Sequence, residues 1–158
     1  MPVYFIAENE NANFDHLRVK IGVSIQIDKR VSQLQTGSPY ELKLMGWIEC
    51  ENDKSLEDKL HTKYKKKHAH REWFNLSASD VLEELRQHLT HAYIAVNDNA
   101  FEVVSLDQDG LPEYVGAWQW TDIEHEEFCP QCGWGGGLSY NENYGGDRCL
   151  KCGIIGDL

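Results

Sequence analysis

The sequence predicts an α+β fold for residues 1–90 and a smaller, β-rich unit for residues 91–158. Segments with strand and helix character alternate over residues 1–90 in the order β-β-α-β-α-α, which is typical of a small sheet covered by helices. After about residue 90, short strand-like segments lead into two Cys-x-x-Cys pairs. The charge balance changes there too, from a net −1 over residues 1–90 to a net −10 over residues 91–158. These observations together indicate two units.

Three segments have the composition of β-strands. Residues 2–7, PVYFIA, are rich in β-branched and aromatic side chains. Residues 18–24, RVKIGVS, alternate apolar residues with others, so Lys20 and Gly22 share the face opposite the apolar one. The third predicted strand is formed by residues 42–49, LKLMGWIE.

The first and third predicted helices have recognisable ends. Residues 28–37, DKRVSQLQTG, begin with Asp28 as a candidate N-cap and end on a glycine. Residues 77–89, SASDVLEELRQHL, begin with Ser77 and Asp80 at the spacing of a capping box. The residues expected to face inward from these two helices are Val31, Leu34, Val81, Leu82, Leu85 and Leu89.

The second predicted helix begins at Asn52 or Asp53 and carries an apolar residue at every fourth position. Glu57 and His61 lie beside that stripe, four residues apart and therefore on the same side of the helix. The stripe, which we expect to be buried, consists of Leu56, Leu60 and Tyr64.

A basic block continues from this helix, in a chain with only 15 Lys+Arg against 26 Asp+Glu. Such a block can line the route of a phosphate backbone and give affinity that does not depend on base sequence. The alternative is a solvated helix end, where cations complement the helix dipole. The cations of the block are Lys63, Lys65, Lys66, Lys67 and Arg71, accompanied by His68 and His70.

The composition excludes a disordered or membrane-spanning chain. It contains 41% hydrophobic and 26% charged residues, which is typical of a soluble globular protein. No apolar run approaches the ~20 residues that a bilayer crossing requires, and the first residues do not resemble a secretory signal. We therefore expect a cytoplasmic protein without a membrane partner, in which cysteines bind metal more often than they form disulfides.

Two cysteine pairs, Cys129-x-x-Cys132 and Cys149-x-x-Cys152, are separated by 16 residues. This is the spacing of zinc sites, and the glycine after each pair lets backbone amides turn toward the sulfurs. Four thiolates suit tetrahedral Zn²⁺ and leave no open position, so the sequence predicts a structural zinc ribbon whose metal-binding energy is folding energy. A disulfide pair or a redox dithiol is the alternative. Cys50 is left over and is expected not to be a ligand.

The rest of the acidic unit gives weaker indications. Residues 92–96 and 101–118 have strand character, the second with a turn at Asp109-Gly110. A net charge of −10 suits docking on a basic protein partner, or covering the basic block in cis, better than contact with nucleic acid. The aromatic residues of this unit either stack on bases or on a partner, or fill a small core; they are Trp118, Trp120, Trp134 and Tyr140.

Several stretches of residues 2–90 stand in the order of the motifs of one known family. They are PVY at residues 2–4, KIG at 20–22, RVSQLQTGSP at 30–39, LEDKLH at 56–61 and REWFNL at 71–76. Together they resemble the GIY-YIG nuclease superfamily, and more closely its phage-type branch, whose second motif reads K-I-G. The resemblance covers residues 2–90 and nothing beyond.

The resemblance implies a three-stranded antiparallel sheet flanked by helices, and divalent-metal-dependent hydrolysis of phosphodiester bonds, with DNA as the expected substrate. It assigns the metal-binding carboxylate to Glu57, the arginine that stabilises the scissile phosphate to Arg30, and the first-motif tyrosine to Tyr4. A single carboxylate suffices for Mg²⁺ or Mn²⁺, because such ions keep several waters and accept phosphate oxygens. Tyr4 or His61, which matches the helix motif of the branch, would orient the attacking water or take its proton.

Three features depart from the family pattern. Lys20 replaces the second-motif tyrosine of the wider superfamily and Pro2 the first-motif glycine, and the loop between the first two strands is longer. Lys20 could contact phosphate, or act as a base if burial favoured its neutral form. The replaced tyrosine also supports a second hypothesis, a nucleic-acid-binding module without catalysis. The acidic half supports a third, an interaction protein that docks through that half.

Overall fold

The computed structural model describes most of the chain. The ranges described are residues 1–8, 17–40, 42–95, 103–106, 112–114, 128–129 and 131–156. The long loop between the first two strands, the turn predicted at Asp109-Gly110, and both Trp118 and Trp120 lie outside these ranges. No helix within them has the length and apolar character needed to cross a membrane.

A six-stranded sheet forms the centre of the fold. Its strands are β1 (Val3–Glu8), β2 (Leu17–Val23), β3 (Leu42–Ile48), β4 (His68–His70), β5 (Trp73–Leu76) and β6 (Ala92–Ile94). Their order across the sheet is β4-β5-β2-β1-β3-β6, and each neighbouring pair is antiparallel. The predicted strands are confirmed as the adjacent trio β2-β1-β3, and the α+β class is confirmed with them.

The sheet is twice as wide as the three strands that the family resemblance implies. The additional strands β4, β5 and β6 contain only three or four residues each. β4 and β5 are too short for an alternating pattern to identify them. β6 lies within residues 92–96, whose strand character the sequence predicts, but it joins the sheet of the first unit and not the second. The basic block does not simply continue the second helix, because one turn of 3-10 helix at Lys65–Lys67 leads directly into β4. Arg71 then occupies the turn between β4 and β5.

Three helices cover this sheet, α1 (Ile27–Thr36), α2 (Asp53–Lys63) and α3 (Ala78–Gln87), as predicted. Asn52 caps α2 by accepting a hydrogen bond from the Ser55 amide at 3.3 Å. At the start of α3, Ser77 and Asp80 form the predicted capping box, with both hydrogen bonds at 3.1 Å. These caps satisfy amides that the first turn of a helix leaves without partners.

Two details of the helix predictions are wrong. Asp28 is not an N-cap: α1 follows Gln26, whose side chain makes no capping hydrogen bond, and Asp28 lies in the first turn, where its charge still complements the helix dipole. Leu89 does not face the core. Because α3 ends at Gln87 and the chain turns toward β6, Leu89 lies beyond the helix and is 36% exposed.

Both faces of the central strands are buried. On β2, Val19 and Ile21 are fully buried, as expected, but Lys20 on the opposite face is also only 7% exposed. Apolar and polar side chains alternate along β2, so they lie on opposite faces of the strand. Both faces are covered by protein. A buried polar face is costly unless its groups are paired, so the contacts of Lys20 and its neighbours indicate where a functional site can lie.

Among the described residues that follow β6, the strands form two small antiparallel sheets. One pairs β7 (Val103–Leu106) with β8 (Pro112–Tyr114), which agrees with the strand character of residues 101–118. The other has the order β11-β10-β9 and consists of β9 (Leu138–Asn141), β10 (Gly146–Cys149) and β11 (Ile155–Gly156).

The first cysteine turn lies along the edge strand β6 of the large sheet. The Ile94 amide donates to the Gly133 carbonyl, and the Gly135 amide donates to the Ala92 carbonyl, each at 2.8 Å. The indole N–H of Trp134 donates to the Thr90 carbonyl, also at 2.8 Å. The sheet of the first unit and the cysteine-rich unit thus share a hydrogen-bonded edge.

Candidate functional site

Tyr4 occupies the centre of the candidate site because of the pairing between β1 and β2. Tyr4 lies directly opposite Gly22, and its side chain is 1% exposed. The ring covers Gly22 so closely that a Cβ at that position would lie 2.5 Å from the Tyr4 hydroxyl oxygen. The glycine of the K-I-G motif therefore makes room for the tyrosine of the first strand.

Arg30 and two glutamates act on the hydroxyl of Tyr4. Burial raises the pKa of Tyr4, a hydrogen bond from Arg30 and the charge of Arg30 lower it, and the charges of Glu72 and Glu57 raise it again. The net result is a raised pKa, so Tyr4 keeps its proton at neutral pH. Tyr4 on β1 is thus within reach of the charges of Arg30 on α1 and Glu57 on α2.

Glu57 is a buried carboxylate on α2, with 3% of its side chain exposed. Its Oε1 lies 3.4 Å from the Lys54 ammonium, whose side chain is 70% exposed, and 4.0 Å from Nε2 of His61. A buried carboxylate whose neighbours are a largely exposed lysine and a partly exposed histidine is suited to bind a divalent cation. The donor set therefore fits Mg²⁺ or Mn²⁺ bound by one carboxylate, with water and phosphate oxygens as the remaining ligands.

The tautomer of His61 follows from its neighbour. Nε2 lies 2.9 Å from the carbonyl oxygen of Ile21. Because a carbonyl can only accept a hydrogen bond, Nε2 must carry a proton there, which leaves Nδ1 as the nitrogen that can accept one. The ring of Phe74, with its centroid 5.2 Å away, supports this orientation.

Lys20 has a partner that the sequence analysis did not identify. Its ammonium donates a hydrogen bond to Oε2 of Glu72 at 2.8 Å and lies 5.8 Å from the centre of the Trp73 ring. Burial raises the pKa of Glu72, whereas the hydrogen bond and charge of Lys20, together with the charges of His61 and Lys54, lower it, and the net result is a lowered pKa. The available signal was the REWFNL motif: a lysine on a covered strand face needs an acidic partner, and this motif contains one.

The cations of the basic block differ in how they are engaged. Lys63 pairs with the buried Glu84 of α3, and Lys67 pairs with Asp80 at 3.1 Å. Lys65, Lys66 and Arg71 are exposed, and none of the ion pairs formed within the described ranges involves them. Arg71 has a φ of 51° and directly precedes Glu72 in the turn between β4 and β5.

The four cysteines of the second unit form one cluster. Their sulfurs all lie within 4.8 Å of one another, with Cys129 and Cys152 at 3.7 Å and Cys132 and Cys149 at 3.8 Å. Tetrahedral zinc with Zn–S bonds of ~2.3 Å places its sulfurs about 3.8 Å apart, whereas a disulfide requires ~2.05 Å. The four thiols can therefore bind zinc. Cys50 is not part of this cluster.

The backbone around the cysteines supports metal binding. The amides of Lys151 and Cys152 lie 3.4 and 3.5 Å from the Cys149 sulfur. Gly133 and Gly153 both have a φ of 80°, a left-handed conformation that glycine adopts without strain. Trp134, 8% exposed, packs against Cys129 and Cys149 and fills the small core, whereas Tyr140 is 68% exposed.

Comparison with known proteins identifies the N-terminal part. The family model of the T5orf172 domain matches residues 1–89, more than half of the chain. No curated protein and no solved structure matches the chain. T5orf172 domains occur in phage-type, nuclease-like proteins, and the match indicates a nuclease-like or DNA-binding role. The chain belongs to the T5orf172 domain family.

Proposed function

We propose that this protein is a metal-dependent endonuclease of the GIY-YIG kind, which hydrolyses phosphodiester bonds in DNA. The observation that carries this proposal is the convergence of Tyr4, Arg30 and Glu57, which are far apart in the sequence. Arg30 lies close enough to the Tyr4 hydroxyl to lower its pKa, and the charge of Glu57 acts on that same hydroxyl. A guanidinium, a phenol and a buried carboxylate in one place are the groups that a metal-assisted attack on a phosphodiester uses.

Each residue has a role that its environment supports. Glu57 would hold Mg²⁺ or Mn²⁺, which, when bound, polarises a phosphate and lowers the pKa of a coordinated water. Arg30 offers a planar set of donors that can contact two phosphate oxygens as negative charge builds on them. Tyr4, whose pKa is raised, orients the attacking water through its hydroxyl and does not take the proton. His61 can take the proton through Nδ1.

The phosphate backbone would approach along the basic block. Lys65, Lys66 and Arg71 are exposed, and Arg71 adjoins Glu72 at the candidate site. Lys63 and Lys67, which we also predicted as DNA contacts, are held by acidic residues of α3 and would contribute less to binding. The zinc ribbon has a structural role in this proposal, since its cysteine turn covers the edge of β6.

One observation favours a second candidate function, a DNA-binding module without catalysis. The residue at the second-motif tyrosine position, Lys20, is tied to Glu72 at 2.8 Å. An ammonium that already donates to a carboxylate is a poor proton acceptor, so the chain lacks a base at this position. His61 supplies another candidate base, and for that reason we favour the nuclease.

Glu57→Gln tests the proposal, because it removes the charge of the carboxylate and keeps its size. We expect the wild-type protein to nick supercoiled plasmid with Mg²⁺ or Mn²⁺, and the variant to lose at least about a hundredfold in rate, as expected when an essential metal ligand is lost. The readout is the nicking rate on plasmid, linear duplex and single-stranded DNA, with EDTA as the blank.

Asp58→Asn is the matched control, since Asp58 is the next residue of α2 and its side chain is 64% exposed. It loses the same charge but leaves the Glu57 carboxylate in place. The Asp58 side chain contacts the largely exposed Lys54 at 3.4 Å, so the variant should nick at close to the wild-type rate. If the wild-type protein binds DNA but cleaves none of the three substrates with any divalent ion, the binding module is the correct reading.

A further inference from the structure

Lys20 and Glu72 form a pair that the roles above leave unexplained. The Lys20 side chain is 9% exposed, so its ammonium has little access to water. A charge in such a position is strongly unfavourable unless a group of opposite sign and a hydrogen bond compensate it. Glu72 supplies the opposite charge and accepts a hydrogen bond from the ammonium at 2.8 Å. The centre of the Trp73 ring lies 5.8 Å from the same ammonium.

The two acidic residues of the site have separate partners. Glu57 contacts Lys54 and lies near His61, whereas Glu72 contacts Lys20. The partner of Glu57 is a largely exposed lysine that a metal ion can displace. Glu72 is occupied by a lysine that cannot easily leave, because Lys20 is fixed on the covered face of β2. Glu57 is therefore the carboxylate that can bind the metal, whereas Glu72 stays paired with Lys20.

The backbone holds Glu72 in this position. Its carbonyl accepts a hydrogen bond from the Ile21 amide at 3.1 Å, and the carbonyl of Ile21 accepts one from His61. In the register of β2 and β5, Lys20 lies opposite Trp73, the residue after Glu72. The hairpin of β4 and β5 therefore delivers the carboxylate and the indole to the same ammonium.

We propose that Glu72 is a positioning residue, which holds the Lys20 ammonium in place, on the face of the sheet that carries Tyr4, as a fixed cation for the scissile phosphate. This inference rests on the proposed nuclease function and extends it. Lys20 thereby takes the place of the second-motif tyrosine as a phosphate contact and not as a base. Glu72 acts through Lys20 and touches neither the phosphate nor the metal.

The first test is a cycle of the variants Glu72→Gln, Lys20→Met and both, in single-turnover cleavage of a duplex at saturating DNA. Glu72→Gln should reduce the rate about tenfold or more, because a misplaced cation stabilises the transition state less well. In the Lys20→Met background it should have almost no further effect, as expected of two residues that act as a unit. An equal loss in both backgrounds overturns the proposal.

Glu83→Gln, on the exposed side of α3, is the control for the loss of one carboxylate and should cleave normally. Affinity for the duplex in EDTA should change less than about twofold in Glu72→Gln, since a fixed cation acts chiefly on the charge that develops in the transition state. A purely structural role of Glu72 would instead lower thermal stability and the fraction of active protein, with the rate of the active fraction unchanged; that result also overturns the proposal.

The second test needs neither metal nor DNA. Titration of the Glu72 carboxyl by ¹³C NMR should give a higher pKa in Lys20→Met than in the wild-type protein, because burial then acts without the opposing ammonium. The other charges that face Glu72 are those of His61 and Lys54 on α2, which are present both in the wild-type protein and in Lys20→Met. An unchanged pKa overturns the pairing. If the wild-type protein cleaves no DNA but this shift occurs, the proposed nuclease function fails while Glu72 still holds Lys20.

Discussion

At the scale of single residues, the candidate site depends on the close packing of the Tyr4 ring against Gly22. Gly22 lies under the ring of Tyr4, and the nearby Arg30 lowers the pKa of the Tyr4 hydroxyl. The order of the sequence motifs is sufficient to predict that Tyr4, Arg30 and Glu57 belong together. Glu72 could not be predicted in this way, because its role depends on the burial of Lys20, and burial on both faces of β2 is a property of the complete fold.

Gly22→Ala should therefore damage the site through Tyr4. The added Cβ would lie 2.5 Å from the hydroxyl oxygen of Tyr4 and 2.7 Å from the ring carbon that bears it, so the ring must move away from Arg30. We expect a loss of roughly 1–3 kcal/mol in the free energy of unfolding in urea, the usual cost of overpacking, and a large loss of cleavage.

Tyr4→Phe in the Gly22→Ala background separates the two effects. Removal of the hydroxyl relieves the shortest contact, so stability should partly recover while cleavage stays low. A Gly22→Ala variant with wild-type stability and cleavage would contradict the packing described for Tyr4.

At the scale of elements, the cysteine-rich unit is joined to the large sheet through β6. Three hydrogen bonds of 2.8 Å connect the turn around Trp134 to residues 90–94. The cysteine spacing predicts the metal site, because the ligands of each pair are local in sequence. The strand character of residues 92–96 is predictable, but the contact between the cysteine turn and β6 is not, because backbone groups of any sequence can make it.

Gly135→Ala should weaken this contact. A Cβ at Gly135 would lie 2.3 Å from the Leu89 carbonyl oxygen, which is backbone and cannot turn aside. We expect a loss of about 1–3 kcal/mol in unfolding free energy, again as for overpacking. Gly37→Ala is the control: the nearest atom to its Cβ would be 3.9 Å away, and stability should change little.

Removal of zinc by a chelator should have a related effect on the whole chain. Elemental analysis should give about one zinc per chain, and hydrogen exchange at the amides of β6 should accelerate when the metal is removed, because the cysteine turn then loses its fixed shape. Unchanged exchange at Ile94 after complete zinc loss would contradict a structural link between the ribbon and the sheet.

At the scale of the whole molecule, the charge distribution favours the approach of DNA to the basic block over its approach to the rest of the acidic chain. The chain has a net charge of −11, so most of its surface repels a polyanion. Ion pairs reduce the effective size of the basic block, because Lys63 and Lys67 are engaged by α3. The sequence shows that the block exists, but which of its lysines form ion pairs depends on where the fold places Glu84 and Asp80 of α3.

The salt dependence of DNA binding should reveal this difference. Lys65→Ala and Lys66→Ala should each reduce the slope of log K against log salt concentration by about 0.9, the value for one phosphate contact on duplex DNA. Lys63→Ala and Lys67→Ala serve as matched controls of equal charge and should change the slope by much less. Equal effects of all four substitutions would mean that the ion pairs with α3 break when DNA binds.

The central claim is that Arg30 and Glu57 act together on one phosphodiester bond. Its most direct test extends the Glu57→Gln assay to single-turnover cleavage of an end-labelled duplex by Arg30→Ala, Glu57→Gln and the double variant in saturating Mg²⁺. We expect each single variant to lose at least about a hundredfold in rate and the double variant to be hardly slower than either, as for groups that form one catalytic unit. Cleavage at the wild-type rate by either single variant would contradict the claim.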